Sequence, residues 1–249
     1  MTIFVGTAGW AIGEAAARWF PADGTSLERY ASVLSAAEIN SSFHRPHRAS
    51  TWQRWREAVP EDFRFSVKMP KEISHEQKLI GCESSVGLFL NEVRELGDKL
   101  AILLLQLPPK LEFDTKVTED FLAVLQSLCS TQVVCEPRHP SWFSKEADAL
   151  LRATRVARVA ADPARHPDAS VPGGWRGMSY FRLHGSPIMY RSSYADRIGQ
   201  YARQLQHENA DNRPTWCIFD NTASSAAVSD ALRLVSYLGC NATTIIQIP

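Results

Sequence analysis

Short apolar runs alternate along this chain with segments of helical period, and nearly every run ends on a polar or charged residue. The runs cover positions 2–7, 36–40, 63–68, 100–107, 133–136, 155–161, 180–183 and 215–219. Alternation of this kind demands a parallel sheet, because each helix is the crossover that returns the chain to the same edge. The runs are almost unbroken in apolar character, as strands covered on both faces are. Helices are expected over 25–35, 50–59, 85–96, 117–128, 145–153, 194–208 and 226–238. Thr25-x-x-Glu28 and Ser50-x-x-Gln53 have the spacing of capping boxes at the starts of the first two. A Pro/Gly-rich loop, 163–179, replaces a helix before the seventh strand.

Eight such units in 249 residues fit a single-domain α/β chain, a TIM-type (β/α)8 barrel with a parallel eight-stranded sheet over 1–249. An open doubly wound sheet is the competing arrangement. It usually carries a glycine fingerprint after the first strand, and Gly6-x-x-Gly9-x-x-x-Gly13 only loosely approximates one. No phosphate-cradling glycine loop or axial-ligand pattern occurs, so no nucleotide cofactor, flavin or haem is expected. Lys+Arg and Asp+Glu both number 27, which argues against a dedicated nucleic-acid binder. The longest apolar run, 100–105, is too short to span a bilayer, and the N-terminus lacks the basic start of a signal peptide. Cys82, Cys129, Cys135, Cys217 and Cys240 are odd in number and widely spaced, which fits a reducing cytoplasm. The glycosylation sequon at Asn241 therefore carries no weight.

In barrels of this kind the chemistry sits at the C-terminal ends of the strands. Those ends read Trp10, then Glu38 with Asn40, then Lys68, then Gln106. Glu136, Arg138 and His139 follow, then Asp162, Arg182 with His184, and Asp220 with Asn221. Glu136 and Arg138 are two apart and point the same way on an extended strand, and Pro140 stops that strand. Core packing alone does not ask for a hydrogen-bonding or charged group at seven strand ends, so a polar pocket is expected. Trp10, Phe43, Trp142 and Tyr190 offer stacking faces, although each taken singly is better read as ordinary core packing.

The stretches Glu38-Ile39-Asn40-Ser41-Ser42-Phe43, Phe65-Ser66-Val67-Lys68, Gln106-Leu107-Pro108-Pro109, Glu136-x-Arg138-His139-x-x-Trp142 and Arg182-Leu183-His184-Gly185 resemble the domain-of-unknown-function-72, or YecE-like, family. The resemblance runs from Gly6 to about Ala231. It implies a TIM-type barrel in a bacterial cytosolic protein and brings no activity with it. The family also has histidine at the position of His75, which suggests a lid residue over the pocket. His44 stands where the family usually has tyrosine, Pro137 where an aromatic is usual, and Asp220 where asparagine is usual.

Three readings compete. In the first, Glu38, Glu136, Asp162 and His184 supply acid and base, while Lys68, Arg138 and Arg182 hold an anionic or hydroxylated small molecule such as a sugar, sugar phosphate or nucleotide. In the second, Glu136, Asp162, His184 and Asp220 bind a divalent metal in an isomerase or phosphoesterase. Arg138 and Arg182, two residues from Glu136 and His184, repel a cation there, so no metal ligands are assigned. In the third, the strand ends form a self-satisfied ion-pair network in a binding or scaffold module.

Overall fold

The computed structural model describes residues 3–239, so Cys240 and the Asn241 sequon lie outside the described residues. The strands are β1 (Ile3–Ala8), β2 (Ala36–Ile39), β3 (Arg64–Lys68), β4 (Leu100–Gln106), β5 (Gln132–Glu136), β6 (Ala157–Arg158), β7 (Ala160–Asp162), β8 (Gly173–Gly174), β9 (Ser179–Leu183) and β10 (Thr215–Phe219). The helices are α1 (Glu14–Ala17), α2 (Ser26–Ala31), α3 (Ala49–Glu57), α4 (Glu83–Val93), α5 (Thr115–Leu128), α6 (Lys145–Ala153), α7 (Ile198–Glu208) and α8 (Ala226–Leu238). One sheet runs in the order β7-β9-β10-β1-β2-β3-β4-β5-β6-β8, parallel throughout except for β6 with β8. Among the described residues no helix is long and apolar enough to cross a membrane.

The sheet is a nearly closed barrel because the run expected as one strand over 155–161 is broken in two. β6 pairs with β5, whereas β7 pairs with β9 at the other end of the row. Val159 lies between the pieces and still donates its N–H to Cys135 O at 2.9 Å. The long loop before β9 contains no α-helix, as expected, but it is not structureless: it holds a 3-10 turn at Pro167–Ser170 and the tenth strand, β8. A Cβ at Gly173 would overlap the Arg158 guanidinium, which would have to move aside.

The period of two along each strand sorts side chains between two separate cores. Ala36, Ile102, Leu104, Val134, Ala157, Val159, Met178, Tyr180, Trp216 and Ile218 fill the inside of the barrel. Their alternates, among them Val5, Ala37, Phe65, Leu103, Val133, Cys135, Ala160, Phe181 and Cys217, pack outward against the helices. Gly6 is the middle of three inward positions of β1, between Phe4 and Ala8, and a Cβ there would collide with the Ala36 carbonyl oxygen on β2. Gly6 thus serves strand packing and not a phosphate.

The Thr25–Glu28 capping box forms: Glu28 N–H donates to Thr25 Oγ1 at 3.3 Å and Thr25 N–H to Glu28 Oε2 at 2.7 Å. The box expected at Ser50 does not. Helix α3 begins at Ala49 behind Arg48, and Gln53 Nε2 donates to Glu95 at 2.7 Å, a tertiary bond in place of the local one. The loop expected over 69–83 coils into a π-helical turn, Glu72–Glu76, around His75.

Replacing Gly6 by alanine should push β1 away from β2 and lower stability by about 1–3 kcal/mol, the usual range for overpacking. Urea denaturation of Gly6→Ala beside the parent protein measures it, and an unchanged midpoint would remove the close approach as the reason for glycine.

Candidate functional site

Arg182 points into the barrel from β9 and is 1% exposed. An arginine cannot shed its charge, so the sequence must surround it with acceptors. Its Nε donates to Glu38 Oε2 at 3.0 Å and its Nη2 to Glu38 Oε1 at 2.6 Å, a forked pair. Nη1 donates to Glu136 Oε2, and Nη2 also reaches Asp220 Oδ2 at 3.1 Å. The Tyr180 hydroxyl lies 2.9 Å from Glu38 Oε2 and 2.8 Å from Ser66 Oγ, so its single proton goes to the carboxylate while Ser66 donates to it. Glu38, Ser66, Tyr180 and Arg182 form a closed, buried floor.

The rim above it is more open. Arg138 grips the other oxygen of Glu136, with Nε and Nη2 each 3.1 Å from Oε1, and its side chain is 15% exposed. His184 Nδ1 is 2.9 Å from Asp220 Oδ2. Its Nε2 stands 3.2 Å from Glu136 Oε1 without hydrogen-bond alignment. Burial disfavours the Glu136 carboxylate, but Arg182, His184 and Arg138 outweigh it and hold the carboxyl well below the usual range. Burial likewise works against the His184 cation, and Glu136 and Asp220 reverse it, raising the imidazole above its ordinary value.

Lys68, the last residue of β3, is partly exposed, and its Nζ sits 4.0 Å from the centroid of the Phe43 ring. Burial and the nearby Arg182 bring its pKa down to about 8. His75 meets the same Phe43 ring edge-on, with centroids 5.1 Å apart. Burial, Lys68 and Arg138 lower its pKa. Asn40 Oδ1 is buried without a hydrogen-bond partner among the described residues. Tyr190, at φ +64, stands edge-on to His184 with centroids 5.9 Å apart.

Several expected residues lie elsewhere. Asp162 is an outward residue of β7, in step with Ala160, and its carboxylate accepts from Arg197 Nη1 at 2.8 Å and from Tyr201. It cannot share acid–base work with Glu38 and Glu136. Asn221 Nδ2 donates to Asp230 Oδ2 at 2.7 Å and to Ser192 O at 3.0 Å. Asp230 also accepts from the Tyr194 N–H at 2.9 Å and from Ser193 Oγ at 2.6 Å, so this cluster anchors the 185–194 loop to α8. Trp142 is a core residue whose Nε1 donates to Leu111 O at 3.0 Å, and Trp10 packs outward on Trp55 and Phe65. His139 caps the 3-10 turn Pro140–Phe143. Gln106 points inward but spends its amide on Leu107 O, 2.8 Å away. The partners missed from the sequence are Ser66 and Tyr180. Both share their strands' inward face with a residue already singled out, Lys68 and Arg182, and that periodicity was the available signal.

With Asp162 outside, the four-residue metal set does not converge, and Arg182 stands among the remaining carboxylates. Among the described residues no group of three or more His, Cys, Asp or Glu side chains has a metal-holding arrangement.

A nearly closed, mostly parallel barrel with its charged groups gathered at the C-terminal strand ends defines a TIM-like α/β barrel protein. The chain belongs to the family described as Protein of unknown function DUF72, which matches residues 4–248. It is 33% identical over 129 residues to the UPF0759 protein YecE of Escherichia coli K12, an alignment covering 51% of this chain and 47% of YecE. The chain thus spans about half the length of that curated relative. A DUF72 family protein of Enterococcus faecalis V583 has a similar solved structure, with TM-score 0.78, 20% identity and 96% of each chain covered. The apo form of 3-keto-D-glucoside 4-epimerase, YcjR, of E. coli shares the fold at TM-score 0.55 and 12% identity, over 96% of this chain and 99% of that one.

Arg182→Met should strand Glu38 and Glu136 and lower stability by about 3–5 kcal/mol. The two titrating groups give opposite pH limbs. The depressed pKa of Glu136 stabilises the fold above about pH 4.3, and that contribution is lost as pH falls toward its folded value. The raised pKa of His184 stabilises below about pH 6.5, and that contribution is lost as pH rises through its folded value. Urea midpoints across this range should fall on both sides, and His184→Gln should flatten the alkaline limb and, by removing one cation that holds Glu136 low, shrink the acid limb as well.

Proposed function

We propose that the mouth of the barrel binds a small anionic or polyhydroxylated molecule, of sugar, sugar phosphate or nucleotide type, and performs acid–base chemistry on it. The charge balance carries this reading. With His184 protonated, three cations (Arg182, Arg138, His184) face three carboxylates (Glu38, Glu136, Asp220). Lys68 is then a surplus cation on a partly exposed rim, and His75 senses both it and Arg138. Lys68 and Arg138 hold the anion or hydroxyls, Asn40 Oδ1 accepts from a hydroxyl, and Phe43 and Tyr190 offer ring faces. His75, whose pKa is lowered by burial and by its cationic neighbours, takes and returns the proton. Glu38 has no share in this, since Arg182 and Tyr180 use both its oxygens.

We read the fold as an eight-stranded TIM-type barrel in one domain over 1–249, with β6 and β7 counted as one strand and β8 as a loop addition. That fold hosts sugar chemistry in the 3-keto-D-glucoside 4-epimerase, with which this chain shares architecture alone. The closed Arg182 floor favours a second reading, a binding module without turnover. Conversion of a bound ligand would separate the two.

The pH dependence follows from Lys68. Its ammonium is present below about 8 and lost above, so anion affinity should be full below that value and decline as pH rises through it. Calorimetric titration with sulfate, whose charge is constant over this range, and with glycerol phosphate tests this. Lys68→Met and Arg138→Met should each weaken binding about tenfold or more, ~1.4 kcal/mol. Equal affinity in all three proteins would place any anion site elsewhere.

A further inference from the structure

We propose that Lys68 is a carbonyl-capturing amine, whose Nζ forms an imine with a small aldehyde or ketone seated at the barrel mouth. This rests on the mouth being a ligand site and names the class of ligand. Three observations carry it.

First, Lys68 differs from the other cations of the cluster. Arg182, Arg138 and His184 each meet a carboxylate, whereas among the described residues no hydrogen bond or ion pair engages Lys68 Nζ. The contact of its ammonium is the Phe43 ring face, 4.0 Å away. An amine without an acceptor partner has its lone pair free as soon as it loses a proton. Second, its base is fixed. Lys68 ends β3 between β2 and β4, and Ser42 Oγ donates to its carbonyl at 2.7 Å. The side chain emerges on the inward face with Ser66 and is partly exposed. Third, a proton carrier stands close by. His75 meets the Phe43 ring that Lys68 covers, and its lowered pKa keeps the imidazole able to accept. The environment that lowers the Lys68 pKa to about 8 also leaves a usable fraction of neutral amine near neutral pH.

The step balances without an oxidant. The Nζ lone pair attacks the carbonyl carbon, a C–N bond forms, and the carbonyl π pair moves to oxygen. The two amine protons pass to that oxygen, with His75 as carrier. The C–O bond breaks, one water leaves and a C=N bond remains. The net change is amine plus carbonyl to imine plus water.

Full-length protein is incubated with glycolaldehyde or dihydroxyacetone phosphate, treated with sodium borohydride, and mapped by peptide mass spectrometry. The reduced adduct should fall on Lys68 about tenfold or more over the exposed Lys110 and Lys145, with yield rising through about pH 8. Lys68→Arg should abolish it while the melting temperature holds. His75→Gln should slow adduct formation and leave glycerol phosphate binding intact. Even labelling of exposed lysines, or none at Lys68, overturns the proposal. Glycerol phosphate has no carbonyl, so its binding reports on the mouth separately. Binding without a Lys68 adduct sinks the imine alone, and loss of both sinks the site as well.

Discussion

A guanidinium held inside a β-barrel is the constraint on which this molecule turns. Arg182 lies where the interior would otherwise be apolar, and its charge is permanent. The desolvation it suffers is repaid only when every donor has an acceptor, and three different strands supply them: Glu38 from β2, Glu136 from β5, and Asp220 just beyond β10. The pairs to Glu38 and Glu136 cross the barrel interior and bind β9 to strands that are not its neighbours in the sheet. The upper end of the barrel is therefore set by electrostatics and its lower part by packing of Trp216, Tyr180 and Ile102.

That arrangement divides labour between depth levels. Carboxylates that neutralise Arg182 are held in place by its donors, which suits a fixed electrostatic floor better than proton exchange. Groups one layer higher are less committed. Lys68 meets an aromatic face, His75 is partly exposed, and Arg138 gives only part of its fork to Glu136. Charge compensation is least complete at Lys68, whose ammonium meets a ring face in place of a carboxylate.

The barrel was legible because its signal is periodic and repeated: apolar runs, crossovers and strand ends recur at a size only a few folds accept. Cys135 and Cys217 read as core residues and are fully buried. Membership of the site was less legible, because sidedness decides it. Asp162 and Glu136 look equivalent as strand-end carboxylates, yet one residue of phase sends Asp162 outward to Arg197 and Glu136 inward to Arg182. The break at Val159 hides that phase in the sequence. Ser66 and Tyr180 escaped notice for the opposite reason: a serine and a tyrosine inside a strand look like ordinary filling until a buried carboxylate is found beside them. Ser50 shows a third limit, since a capping pattern is local and Glu95, far along the chain, takes the glutamine.

The anchoring of the 185–194 loop has its own consequence. Asp230, wholly buried on α8, gathers Ser193, the Tyr194 amide and Asn221 onto one carboxylate, and Tyr190 O takes a further bond from Ala223 N–H at 3.0 Å. The loop is thus ordered before anything arrives. A molecule seated against Tyr190 has no segment to freeze, so little conformational entropy opposes its association. Discrimination among visitors then rests on fit to a rigid outline, with little room for the loop to reshape itself around each of them.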